Sequence, residues 1–505
     1  MSYHGAYFTD VIPYSSRYYT QGKFGRMFSN LPPFAADTTK VRNALKDMGK
    51  EKGIMDAGDD LTKTPVQLIT ELDLQIVNAN SPTMTAGMTF LGQFIDHDVT
   101  FDPTSSLERQ VDPEYIANFR TPTLGLDNVY GSGPSASPHL YNTKDGFGGI
   151  KFLIEPLNVK GKDGIDKFDL PRNSVNTALV GDPRNDENLI VSQLHLLFLR
   201  FHNRLVDHLH AKDAGKSPSV LFKETQELVR WHYQWIILHE FLPLLCGQEM
   251  ITDILKNGRK FYHWQNEPFI PVEFSVAAYR FGHSQIRPSY RANFGITSNP
   301  LPLSPFFAMI FDHTAVANSA DPNDLRGGTR AARRFIDWHT FFNLQDGSTR
   351  PNKLIDTKIS SALFNLLGLP AGDPVSLAQR NLLRGLTFSL PSGQRVAMAM
   401  GIEPLAPEVF DDLKNYKTNF ENSTPLWFYI LKEAEVKTMG VTLGPVGARI
   451  VAEVLIGLME GDNTSYISQN PLWKPMLPCF EPYRNGKDFK FADLIKLAEG
   501  ITALV

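Results

Sequence analysis

Four short segments put polar, chemistry-bearing side chains where the surrounding pattern asks for burial. Residues 91–101 read LGQFIDHDVTF, with Gln93, Asp96, His97 and Asp98 in an otherwise apolar run. A buried ionised carboxylate needs a counter-charge, a metal or a bond, so two acids flanking a histidine demand partners. On a helix Gln93 and His97, four apart, share a face. Asp96 and Asp98 then stand about 100° to either side of His97. One helix thus offers Gln93 and His97 to a cavity, Asp96 to its edge and Asp98 to a different site. Residues 181–188, GDPRNDEN, set Arg184 and Glu187 three apart, neighbours if the turn is helical. Residues 278–288, AYRFGHSQIRP, place His283 after a glycine that lets something flat approach the backbone. Residues 380–391, RNLLRGLTFSLP, put Asn381 and Arg384 on one helix face. Each segment alone also has an ordinary reading: a polar helix end, an N-terminal turn whose acids suit the helix dipole, a core histidine, a loop cap.

Together the four suit a haem. Its iron needs a proximal imidazole, a partner for that ring's other nitrogen, and cations for the propionates. A haem that uses peroxide needs two more groups on the opposite face. One is an imidazole to carry a proton between the peroxide oxygens, the other a fixed cation to stabilise charge as the O–O bond breaks.

The elements that must hold these groups are mostly helical. Residues 187–210, ENLIVSQLHLLFLRFHNRLVDHLH, follow Asp182 and Pro183, contain no Gly or Pro, and are apolar on most of their circumference. That marks a helix deep in a large core. Further long helices are predicted over 217–241 and 444–459, with Gly- and Pro-rich connections such as 131–138. Residues 1–65, rich in aromatics, Gly and Pro without steady periodicity, read as an arm wrapping the rest. With no internal repeat, linker or composition shift, one large mainly α domain over 66–505 with little β is expected.

Composition narrows the class. The chain has 505 residues, 42% of them hydrophobic, and a formal net charge of -4. It can bury a large core, and it has no dense basic block for nucleic acid. Cys246 and Cys479 lie too far apart in sequence to suggest a disulfide framework or a thiolate metal site. The N-terminus lacks a basic start and apolar core of the Sec type, and no window reaches the roughly 18 apolar residues of a membrane span. A cytoplasmic location is the default expectation, with non-classical export as the other route.

The ordered motifs GQFIDHD, GDPRNDE, YRFGH and NLLRG, followed by GPVGARIVAEVLIGLMEGD, resemble the animal-type haem peroxidases of the peroxidase–cyclooxygenase superfamily over about residues 85–462. The chain looks like a bacterial member. The resemblance implies a haem b enzyme taking hydrogen peroxide and a small electron donor, a halide or a phenol. It makes His97 the distal proton shuttle with Gln93 beside it, Arg184 the distal cation, and His283 the iron ligand. Asn381 becomes the partner of His283, with Arg280 and Arg384 near the propionates. Asp96 and Glu187 match carboxylates that form esters with the haem in mammalian members. The third mammalian link is excluded, because Asn188 stands where its methionine would be.

Asp98 matches a calcium ligand. The family completes that site with a loop ending in Val-Tyr-Gly, here residues 120–131, RTPTLGLDNVYG. The alignment puts Thr121, Thr123 and Asp127 at ligand positions and Gly125 where an aspartate is usual. Calcium affinity depends on ligand charge, so the expected site is weakened. Superfamily dioxygenases that act on fatty acids carry a tyrosine three residues before the proximal histidine. Arg280 holds that place here. Tyr279, one residue earlier and about 100° round a helix, is expected to point away from the haem edge unless the helix is distorted. Peroxidase chemistry is therefore the leading expectation, a Tyr279-dependent dioxygenase the alternative, and a non-catalytic haem-binding or adhesive protein the third reading. The full set of polar groups argues against the third. His195 and His202, seven apart on the long helix, read as core residues, as do Trp231 and Trp235. His239-Glu240 lacks the second histidine of a zinc-protease motif.

Overall fold

A computed structural model describes residues 22–71, 78–101, 117–264, 267–310, 321, 323–326, 334–366, 369, 372–475 and 489–501. Cys479 and residues 1–21 of the expected arm lie outside them. The helices that build the site are α1 (Ala86–Val99), α2 (Leu189–Lys212), α3 (Pro218–Ile236), α4 (Leu377–Thr387), α5 (Leu426–Lys437) and α6 (Pro445–Gly461). Strands are short: β1 (Gly22–Gly25), β2 (Asn80–Thr85), β3 (Ala117–Asn118), β4 (Glu155–Lys160), β5 (Asp166–Asp169), β6 (Ile270–Pro271) and β7 (Pro351–Lys353). They form one three-stranded sheet, β3-β1-β6, and two separate pairs, β2-β7 and β4-β5. The fold is mainly helical with little sheet, as expected. No helix among the described residues is long and apolar enough to cross a membrane.

The predicted long helix forms because its sequence supplies a cap and an uninterrupted apolar surface. The Asn188 side chain accepts from the Val191 N–H, satisfying one orphan donor of the first turn of α2. Leu194, Phe198, Phe201 and Leu205 on this helix are all buried. Each such side chain contributes roughly 1.5–3 kcal/mol by leaving water. Phe198 stacks on Phe94 of α1 with centroids 4.9 Å apart, so the helix that carries the first motif packs directly on the helix that follows the second. The helix predicted over 217–241 is α3 followed without a break by one π turn, Ile237–Phe241. α6 matches the third predicted helix and is buried along most of its length.

The His283 segment is not the regular helix that the sequence suggests. A π turn, Glu273–Ala277, runs into a 3-10 helix, Ala278–Gln285. Between them Ala277 departs from helical geometry at φ -126° and ψ -73°. The buried Glu273 carboxylate holds the start of this segment by accepting from the backbone N–H groups of Met27 and Phe28 at 3.0 and 3.1 Å. On the far side, the Trp427 indole of α5 donates to the Arg280 carbonyl at 3.1 Å.

Candidate active site

α1, the 3-10 turn Pro183–Asp186 with Glu187 before α2, α4 and the irregular 278–285 segment line a cavity of about 320 Å³. Gln93, Asp96, His97, Arg184, Glu187, Arg280, His283 and Arg384 all line it. Segments nearly 300 residues apart in sequence, from Gln93 to Arg384, thus meet at one place. Asn381 stands just behind the lining, bonded to His283.

On the α1 side His97 is buried and its Nδ1 lies 2.8 Å from Asn185 Oδ1. As placed, the ring donates through Nδ1, which leaves Nε2 as a lone-pair nitrogen facing the cavity. Burial and the nearby Arg184 charge depress the His97 pKa to about 4, so the ring is neutral and basic at pH 7. Asn185 in turn donates through Nδ2 to His195 Nδ1 at 2.9 Å. The sequence reading missed both Asn185 and the tie to His195. Nothing in the spacing marks an asparagine one residue past an arginine as a histidine's partner.

Arg184 does not stand alone either. Asp182 Oδ1 accepts from its backbone N–H at 2.9 Å and its Nε at 3.1 Å, and Asp182 Oδ2 from Nη2 at 2.8 Å. Arg120 binds the same carboxylate. Burial opposes ionisation of Asp182, but the two guanidinium groups outweigh it and hold its carboxyl below the usual range. Two arginines on one aspartate leave a net positive charge beside His97. The Arg184 side chain also donates to the His97 carbonyl at 3.1 Å and lies 4.6 Å from the Phe101 ring centre. The cation is thereby fixed without being neutralised.

On the other wall, His283 Nδ1 lies 2.7 Å from Asn381 Nδ2 of α4. The expectation was an accepted N–H from the ring; as placed, the amide donates instead. The two ends of an amide are nearly the same shape, so a half-turn of the group presents Oδ1 to a protonated Nδ1. Burial, aided by Arg280, lowers the His283 pKa to about 3, so the ring is neutral, and with the amide turned and the proton on Nδ1 its Nε2 can offer a lone pair to a metal. A side chain on Gly282 would meet only Thr89 Cγ2, at 3.7 Å, so the backbone face beside His283 is open. Arg280 lies on this wall with its Nε bonded to the Ser275 carbonyl at 2.8 Å.

Tyr279 departs from the sequence reading. Its ring lines the cavity, and its buried hydroxyl has no hydrogen-bond partner. The expected turn away from the cavity assumed 3.6 residues per turn. The π turn and the 3-10 helix each break that phase, and the junction at Ala277 re-aims the phenol.

Asp96 and Glu187 face the cavity as expected. The Thr100 hydroxyl donates to Asp96 Oδ1 at 3.0 Å. Glu187 is raised to about 7 by burial, partly offset by Arg184 and reinforced by Asp182. A carboxyl raised from 4.5 in the unfolded chain keeps its proton on folding, so its contribution is complete below about pH 4.5 and lost as pH rises through 7. In the haem-free protein, Glu187→Gln is expected to match the wild type below about pH 4.5 and to exceed it by about 3 kcal/mol above pH 7. Urea unfolding across that range measures this; a pH-independent difference would refute it.

The predicted calcium residues assemble only in part. The Leu126 N–H donates to buried Asp98 Oδ2 at 3.1 Å, while Oδ1 has no well-formed bond, and neither has the adjacent Tyr233 hydroxyl. Burial and the Asp127 charge raise the Asp98 pKa to about 8, so a proton can neutralise it. A side chain at Gly125 would point at Thr123 Oγ1 and Asp127 Oδ1, 3.0 and 3.4 Å away, where the family's third carboxylate would stand. Instead Arg230 Nε donates to the Gly125 carbonyl at 2.8 Å. The Thr121 carbonyl is used by the Thr123 N–H at 2.7 Å. Among the described residues no group of three or more His, Cys, Asp or Glu could hold a metal. With Gly125 where a carboxylate is usual, Asp98 and Asp127 are the carboxylates left at this loop, which lowers the ligand charge on which calcium affinity depends.

His202 serves the core. Its Nε2 donates to the Ile150 carbonyl at 3.0 Å and its Nδ1 accepts from the Tyr130 hydroxyl at 3.1 Å. Trp231 and Trp235 are buried, also as expected.

The protein is 26% identical to a peroxidasin homologue, pxn-2, of Caenorhabditis elegans over 401 residues, 74% of this chain and 28% of that protein. It is 26% identical to the chorion peroxidase of Drosophila melanogaster over 68% of this chain and 41% of that protein. The chain therefore spans well under half the length of these relatives. Peroxidase A from Dictyostelium discoideum has a similar structure, with a TM-score of 0.58 at 16% identity, over 95% of this chain and 93% of that one. A fatty acid alpha-dioxygenase from Arabidopsis thaliana has a TM-score of 0.58 at 15% identity, over 90% of this chain and 75% of that one. At these identities the structures show the fold alone. The relatives are eukaryotic, which overturns the expected bacterial membership; motifs that serve a cofactor constrain chemistry and carry little about lineage. A model of the animal haem peroxidase family matches residues 105–361, just over half of the sequence, so the chain belongs to that family.

Proposed function

We propose that the protein binds haem b in this cavity and uses hydrogen peroxide to oxidise a halide or a small phenolic donor. One observation carries the reading: His97 and His283, from distant parts of the chain, line one buried cavity, each with one ring nitrogen tied to an asparagine behind it. A haem held there would supply an iron that accepts a peroxide oxygen and takes up oxidising equivalents for the donor. The residues present suit such a group. His283 Nε2 would hold the iron, with Asn381 fixing the ring and, once turned, accepting its N–H and raising its donor strength. Arg280 and Arg384 would hold the propionates. Asp96 and Glu187, which line the cavity, would be the residues that form ester links. A neutral Glu187 carboxyl costs less to bury than a carboxylate, which keeps it available for that bond.

Gln93 would orient the incoming peroxide. His97 Nε2 takes the proton from its inner oxygen and returns it to the outer one. Arg184, held by Asp182 and the carbonyl of His97, stabilises the negative charge that develops between. None of these groups must move, because the asparagine and aspartate contacts already hold them in place.

The cavity position of Tyr279 supports a second reading, a dioxygenase whose tyrosyl radical takes hydrogen from a fatty acid. One set of measurements separates the readings. Haem-loaded protein that oxidises guaiacol or bromide with peroxide, with Tyr279→Phe retaining at least half the rate, is the expected result. Oxygen uptake with linoleate, abolished by Tyr279→Phe, with no peroxide turnover, would establish the dioxygenase. A Soret band with neither activity would reduce the protein to a haem binder.

A further inference from the structure

We infer that Asn185 is a tautomer lock, a positioning residue that forces opposite proton placements on His97 and His195 and thereby keeps a lone pair on His97 Nε2. The geometry is a chain of two bonds through one amide. Asn185 Oδ1 lies 2.8 Å from His97 Nδ1 and its Nδ2 lies 2.9 Å from His195 Nδ1. All three side chains are buried, at 4%, 0% and 1% exposure, so no bulk water competes for these bonds.

A neutral imidazole has one N–H and one lone pair. An amide has a donor end and an acceptor end. Set between two Nδ1 atoms, it must accept from one ring and donate to the other. The two rings therefore cannot adopt the same tautomer without breaking a buried bond, which costs about 1–3 kcal/mol. With the amide as placed, His97 would carry its proton on Nδ1 and His195 on Nε2. The turned amide would reverse both at once and put a proton where the base is needed.

The backbone explains why this amide keeps its place. Asn185 sits in the 3-10 turn Pro183–Asp186, capped by the Asp182 side chain, and its own N–H is bonded to the Asp182 carbonyl at 3.0 Å. The Arg172 guanidinium grips Asp186 on the other side through two bonds of 2.6 and 2.8 Å. The turn that aims Arg184 into the cavity thus also aims Asn185 between the two rings. His195, on α2 seven residues before His202, is then more than a core residue: it supplies the acceptor that orients the amide.

The test reads the protons directly. Long-range proton–nitrogen spectra of haem-free protein labelled with 15N-histidine, assigned with His97→Gln and His195→Gln, are expected to show Nδ1–H on His97 and Nε2–H on His195. Asn185→Asp, whose carboxylate accepts from both rings, is expected to make both Nδ1–H and to keep peroxide kcat/KM within a few-fold. Asn185→Leu is expected to leave His97 without a single tautomer and to lower kcat/KM at least tenfold. The same tautomer on both rings in the wild type, the reversed pair, an unchanged His195 tautomer in Asn185→Asp, or an unchanged His97 spectrum in Asn185→Leu would overturn the inference. The kinetic arm rests on the proposed peroxidase reading, but the spectra do not, so failure of one is distinguishable from failure of the other.

Discussion

Replacing His97 with alanine is expected to lower kcat/KM for hydrogen peroxide by about 10³-fold, within the span that a positioned acid–base group contributes. The expectation follows from what surrounds the ring. No second basic nitrogen is described on that wall: Gln93 has no basic lone pair, and Arg184 is committed to Asp182. Asp96, the adjacent carboxylate that lines the cavity, already accepts from the Thr100 hydroxyl. Truncation therefore removes the one imidazole that the described residues of this wall offer to take a proton from one peroxide oxygen and deliver it to the other, leaving the Glu187 carboxyl as the remaining acid–base group. Arg184 stays where it is, since its bonds go to Asp182 and to main-chain carbonyls, so charge stabilisation survives and a residual rate should remain. Haem uptake should be little changed, because His97 is not on the proximal wall. Stopped-flow reaction of the haem-loaded variant with peroxide measures the loss. A decrease of less than tenfold would mean that another group carries the proton.

How far the sequence disclosed this arrangement varies with the physics of each part. α1 and α2 were legible because apolar periodicity and caps are local signals, and the Gln93–His97 spacing fixes a shared face whatever the rest of the chain does. The cavity-lining set was legible because several unusual residues recur in order. What escaped depends on backbone departures and on contacts between distant segments. Tyr279 was misplaced because a switch from π to 3-10 geometry at Ala277 leaves no mark in the pattern of side chains. The pairing of Arg120 with Asp182, 62 residues apart, is set by how the 117–126 loop lies against the turn before α2. Asn185 escaped for the same reason, since its value lies in the two rings it meets. At the weakened calcium loop, Gly125 told of a missing carboxylate, but nothing local indicated that Arg230 of α3 would donate to its carbonyl.

His283→Ala should have the larger effect on the cofactor itself. Loss of an outer partner such as Asn381 is expected to cost 10–100-fold in haem affinity or activity, while loss of the iron ligand costs roughly 10³-fold or more, because the outer partner acts only through the ring it orients. Among the described residues lining the cavity from the 278–285 segment there is no second imidazole. Arg280 is a cation, bonded through Nε to the Ser275 carbonyl, and Gly282 has no side chain. The substitution also opens a space between Gly282 and Asn381 of the size of the ring it removes. Added imidazole should occupy that space, bond to the Asn381 amide as His283 does, and restore part of the Soret intensity and of the peroxide turnover. Rescue should weaken in His283→Ala/Asn381→Ala, where the orienting amide is also gone. Titration of both variants with imidazole, followed by absorbance and by guaiacol oxidation, provides the measurement. A variant that keeps the wild-type axial spectrum without imidazole would show that His283 is not the ligand, and the assignment of both cavity walls would fall with it.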